Sequence, residues 1–144
     1  MIYKRSDKEI FVIEACRYDK EWRGVIVIPI DKWIEFNKKN ILALTKISGP
    51  RICNDIVENA LSKIVTYRLQ SFGLNWTRFL WDKQPYQVPE GNRFVCYEIL
   101  AILLQEMHII KKTYSYSNYW PGHFCWGKLD LEETYKYGKP ILLK

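Results

Sequence analysis

The chain has 144 residues, 48% of them hydrophobic, with only seven glycines and six prolines. That is enough for one domain with its own core, and it excludes a disordered or collagen-like protein. The formal charge is +6, and the basic residues are scattered, with pairs at Lys4-Arg5, Lys38-Lys39 and Lys111-Lys112 and no longer stripe, which reads as a solvated basic surface before it reads as a nucleic-acid face. The four cysteines, Cys16, Cys53, Cys96 and Cys125, lack paired zinc-type spacing, so reduced thiols and no structural metal are expected. No apolar run approaches the roughly 18 residues of a membrane span, and the first residues lack the apolar region of a signal peptide.

In chain order, Met1 to Lys4 predicts a strand and Arg5 to Lys8 a charged turn. Ile10 to Cys16 then closes a hairpin, with its β-branched and aromatic residues favouring a pleated surface. Glu14 is a charge set in that apolar run. It is expected on an outward face of the sheet or at the rim of a site. A polar loop from Arg17 to Arg23 leads to Gly24 to Ile30, expected as a strand buried on both faces and ended by Pro29. Asp31 predicts an N-cap for a short helix over Lys32 to Asn37, and Ile41 to Ile47 a further strand.

An amphipathic helix is predicted from Asn54 to about Leu69, with Val57, Ala60, Leu61, Ile64 and Val65 on one buried stripe, Asn54 as cap and Gly73 as stop. Residues 75 to 88 form an irregular aromatic stretch holding Trp76, Phe79, Trp81 and Tyr86. Asn92 then caps a helix running to Met107 that is apolar on almost every face and so belongs inside the core. Tyr119 to Gly127 reads as an aromatic loop, followed by Lys128 to Leu131 and a tail from Tyr135 to Leu143. Strands come first, then two helices, then loop and strand, which is an α+β arrangement.

Cys96 lies in the first or second turn of the apolar helix, where unpaired N–H groups and the dipole favour a thiolate. A catalytic thiol normally needs a histidine within reach. The chain has two histidines, His108 and His123. His108 is twelve residues along the same helix, roughly 18 Å at about 1.5 Å per residue, so it cannot serve Cys96. It suits the helix C-terminus instead. His123, after a Pro-Gly turn, reads first as a histidine packed among Tyr119, Trp120 and Trp126, and second as a base folded back onto the helix. Glu98, two residues from Cys96, points to another side of the helix and is no base for that thiol.

Phe94-Val95-Cys96-Tyr97-Glu98-Ile99-Leu100-Ala101, an apolar helix and then Tyr119-Trp120-Pro121-Gly122-His123-Phe124 together resemble circularly permuted papain-like (NlpC-type) cysteine hydrolases. Lys128-Leu129-Asp130-Leu131 and Tyr137-Gly138 look like the versions carried by large DNA viruses, and Ile13-Glu14-Ala15 and Gly24-Val25 fit the front half. The resemblance implies a small antiparallel sheet packed on the cysteine helix, with Cys96 as nucleophile. It also implies Glu14 as the residue that orients the base, and a base histidine on the strand before it. The sequence departs at Tyr97, where serine is usual, and at His123, where aspartate is usual. It has no histidine before His108.

The expectation is therefore a papain-like hydrolase homologue, impaired in catalysis, retained as a viral binding or virion structural protein in the host cytoplasm or the virion. Its partner would be a protein or a peptide or acyl substrate, with no cofactor and no metal. The Trp22, Trp76, Trp81, Trp120 and Trp126 side chains would suit such an interface. A second expectation is an active hydrolase of amide, peptide or ester bonds, with His123 or a histidine upstream of Met1 as base. Nucleic-acid binding through basic and aromatic residues is a third.

Overall fold

The computed structural model describes residues 1–6, 8–17, 23–40, 43–69, 84–91 and 93–142. Strands β1 (Ile2–Lys4), β2 (Ile10–Arg17) and β3 (Arg23–Pro29) form an antiparallel meander. Two short strands, β6 (Arg68–Leu69) and β7 (Arg93–Phe94), extend it to five strands in the order β1-β2-β3-β6-β7. The first hairpin falls where the sequence predicts it. The sheet is not purely antiparallel, because β6 and β7 pair in parallel. Strand β3 is not buried along its whole length either: Val25 is buried, whereas Val27, two residues on along the same face, is exposed.

Strand alternation divides β2 between two faces. Ile13 belongs to the main core with Val25, and Ala15, the partner of Val25 across the β2–β3 ladder, packs against it. Val12, Glu14 and Cys16 point the other way. There Val12 is buried outside the main core, beside helix α1 (Ile30–Phe36). Asp31 lies within the first turn of α1 rather than capping it, and Pro29 holds the cap position.

The core face is covered by α2 (Asn54–Ile64) and α3 (Cys96–Glu106). In α2 the stripe Val57, Ala60, Leu61 and Ile64 is buried as predicted, but the helix stops at Ile64 and leaves Val65 exposed. Its N-cap is Cys53, one residue before Asn54. Helix α3 is the centre of the molecule, with Tyr97 to Ile99 and Ala101 to Gln105 all buried. It is shorter at its start than predicted, since Arg93–Phe94 is spent on β7 and Val95 is the N-cap. Gln105, buried at the other end, donates through Nε2 to the carbonyls of Lys111 (3.3 Å) and Tyr114 (2.8 Å), binding the following loop to the helix.

After α3, residues 116–118 make one turn of 3-10 helix, and Pro121–Cys125 forms α4. The predicted aromatic loop is thus partly helical, begun by Pro121 at a position that needs no N–H. Of the single strand predicted over Ile41 to Ile47, Ile41 and Leu42 lie outside the described residues, and the rest is divided between β4 (Ala43–Leu44) and β5 (Ile47–Ser48). These pair antiparallel with two strands of the tail, β9 (Ile141–Leu142) and β8 (Lys136–Tyr137). Trp22, Gly73, Asn75, Trp76, Phe79, Trp81 and Asn92 lie outside the described residues.

Candidate active site

Cys96 is the first residue of α3, and its side chain is exposed. The helix start is held by Glu98, whose buried carboxylate accepts a hydrogen bond from the Val95 backbone N–H (3.0 Å). That is the return half of a capping box, and it fixes the turn on which Cys96 sits. Tyr97, next in sequence, is buried and stacks on Trp120 with ring centroids 5.7 Å apart, tying α3 to the start of α4.

Beside Cys96 opens an apolar pocket of about 300 Å³. The sheet contributes Met1, Ile13, Ala15 and Val25 to its wall, and α2 contributes Ile64. Helix α3 lines it with Cys96, Tyr97, Ile99, Leu100 and Leu103, and α4 with Pro121 and Phe124. Four elements distant in sequence converge here because Ile13 and Ala15 share the core face of β2 and face the side of α3 that begins at Cys96.

Glu14 borders this pocket between Ile13 and Ala15, but its carboxylate leaves on the opposite face of the sheet. There it accepts a hydrogen bond from Trp33 Nε1 of α1 (3.0 Å). Burial, and then the nearby Glu14 carboxylate, push the Cys16 thiol up on that same face. The structure therefore brings Cys96 and the Glu14 main chain to one pocket while holding the Glu14 carboxylate elsewhere.

Neither histidine lines the pocket. His123 is the third residue of α4, and its Nδ1 accepts the Trp120 backbone N–H at 2.8 Å. A neutral imidazole that accepts at Nδ1 carries its proton on Nε2 and has no lone pair left to take one. His123 acts as the capping residue of its own helix, with its ring edge-on to Tyr119. His108 is exposed beyond the C-terminus of α3.

No family model, curated protein or solved structure matches the chain.

Among the described residues, no group of three or more His, Cys, Asp and Glu side chains is placed to hold a metal ion. No helix among them is long and apolar enough to cross a membrane. All four cysteines are free thiols: Cys53, Cys96 and Cys125 are exposed and Cys16 is half-buried. Of the aromatic residues singled out in the sequence, Trp120 is packed on Tyr97, while Trp126 is 74% exposed. The Tyr97–Trp120 stack carried no signal in the sequence, since only the fold brings its partners together, and the Glu98 cap was masked by Val95, which lacks the Ser or Thr oxygen that marks a capping box. The pocket wall on β2 did carry one, in the alternation of Ile13 and Ala15 about Glu14.

Proposed function

We propose that this chain is a papain-like cysteine-hydrolase homologue of the permuted class that works by binding, as a viral binding or virion structural protein, and not by hydrolysis. The observation that carries this reading is the company of Cys96. The thiol stands at the head of a buried helix, on the wall of a pocket closed by a sheet, where such an enzyme would hold its nucleophile. No imidazole borders that pocket. The carboxylate meant to orient one is bonded to Trp33 across the sheet. A thiol without a base is a slow nucleophile at neutral pH.

The cap made by His123 supports the same reading. At the third position of a helix, an aspartate accepts the N-cap N–H as His123 does here. In the resembled family aspartate is usual at this place, so His123 substitutes for a cap and not for a base.

The test is site-resolved alkylation of Cys96 by iodoacetamide across pH. The expected result is the rate and pH profile of an ordinary free thiol, unchanged in a His123→Asp variant. Fast labelling at pH 7 that disappears on mild acidification would instead establish a working thiol–imidazole pair and the hydrolase reading.

A further inference from the structure

From the make-up of the cavity beside Cys96 we infer that it is a binding site for one compact, uncharged, apolar group, of the size of a phenyl ring or a branched alkyl. This rests on that cavity being the binding site of the function proposed above, and adds the chemical class of what it holds.

Three features of the cavity select that class. Its side-chain wall is almost wholly hydrocarbon, from Ile13, Ala15 and Val25 on the sheet to Leu103 and Phe124 on the helices. The one carboxylate at its edge, Glu14, is turned to the other face and held by Trp33. The Met1 ammonium, also at the wall, is engaged by the Ile13 carbonyl (2.7 Å). A charged or strongly polar group entering would lose its water, at a cost of several kcal/mol. An apolar group gains about 25 cal/mol for each Å² of its surface removed from water.

Size narrows the choice further. At about 300 Å³ the cavity lies at the small end of ligand pockets and holds about ten water volumes of about 30 Å³ each. That is room enough for one compact group such as a phenyl ring. The wall is also fixed in advance. Ile64, Ile99 and Leu103 are nearly fully buried, and the Tyr97–Trp120 stack ties α4, which supplies Pro121 and Phe124, to α3. Little ordering then remains to oppose binding. The exposed Cys96 side chain borders the cavity, so a group seated inside brings whatever it carries beside the thiol.

Cys96 itself reports occupancy. The intact chain is alkylated with iodoacetamide, N-benzyl iodoacetamide and an N-carboxymethyl iodoacetamide, and each site is read by mass spectrometry. In each case an S–C bond forms as iodide leaves and the thiol proton passes to buffer. The exposed Cys53 of the same chain corrects for intrinsic reactivity. The expected result is a benzyl-to-parent rate ratio at least tenfold higher at Cys96 than at Cys53, with saturation in the benzyl reagent and no gain for the charged one. Ala15→Phe, which fills the cavity, should bring the ratio down to that of Cys53.

Protection of Cys96 by benzyl alcohol identifies a free small molecule as sufficient. Protection only by N-acetylphenylalanine amide identifies a peptide side chain. Equal ratios at Cys96 and Cys53 in the unsubstituted chain overturn the assignment without recourse to any variant. The iodoacetamide pH profile reports on the missing base and the probe ratio on the cavity, so either reading can fail alone.

Discussion

At His108 the backbone takes a φ of 55°, the left-handed conformation that ends α3. The Ile109 N–H bonds the Leu104 carbonyl (2.9 Å) and the His108 N–H that of Gln105 (3.1 Å), which together make a Schellman turn. Helix α4 stops in a similar way, with Gly127 at φ 66° and the Lys128 N–H on the His123 carbonyl (3.0 Å). Glycine adopts that conformation without strain, whereas a side chain pays about 1 kcal/mol or more. His108→Gly is expected to raise unfolding free energy by about 1 kcal/mol in urea titrations, with an unchanged slope. Tyr119 presents a different tension. Its hydroxyl is buried without a partner, and burial, with Asp130 and Tyr114 nearby, pushes its pKa up to about 12. The fold therefore favours the protonated phenol. That stability is whole below the unfolded value of about 10 and is lost as pH rises from there toward 12. Tyr119→Phe is expected to match or exceed the parent stability at pH 7 and to unfold less readily near pH 11, as followed by circular dichroism.

Among the elements, α3 depends on its first turn. Glu98→Ala would leave the Val95 N–H buried with no acceptor, and an unpaired buried donor costs about 1–3 kcal/mol. Glu98→Gln keeps an acceptor oxygen and should lose less; comparing the two by chemical denaturation separates the cap from simple packing. The sequence announced this helix by its apolar faces, and α2 by the Val57, Ala60, Leu61 and Ile64 stripe, because burial at helical spacing is a local signal. It placed the start of α2 at Asn54, though Cys53 holds the cap, and missed the start of α3. Asn92 has the preferred cap chemistry, yet tertiary pairing sets the boundary: Arg93–Phe94 enters β7 beside β6, so α3 begins after it. His123 escaped for a related reason. Trp120-Pro121-Gly122 reads as a loop, and only Pro121 at the first helical position hints at α4. Glu14 was legible as outward-facing from the alternation of β2. Its Trp33 partner, nineteen residues away, was not.

For the whole molecule, Glu106 joins three parts. It accepts from Lys63 of α2 and, at 3.1 Å, from Lys112 in the segment after α3. Burial alone would push the Glu106 carboxyl up, but the two lysines outweigh it and hold the carboxyl below its ordinary value. A folded pKa below the unfolded one means stability present above the unfolded value of about 4.3 and lost as pH falls through the folded one. The hydrogen bond that Lys63 donates to Glu106, and then the Glu106 charge, push Lys63 up, so that side of the pair is lost only as pH rises above the ordinary lysine range. With Lys63 more than half exposed the pair contributes little, at most about 1 kcal/mol. Urea midpoints measured from pH 7 down to pH 3 should fall, and Glu106→Gln should flatten that fall.

The small ladders of the tail have a consequence for how the chain is made. Ala43 pairs with Leu142 and Ile47 with Tyr137, separations of 99 (142 minus 43) and 90 (137 minus 47) residues. During synthesis the β1–β2–β3 meander can pair as soon as it emerges, because each strand's neighbour is next in line. Residues 43–48 must wait for their partners until some 90 further residues have been translated. The nascent protein therefore carries two unpaired strand edges over that interval, in which a chaperone has something to hold.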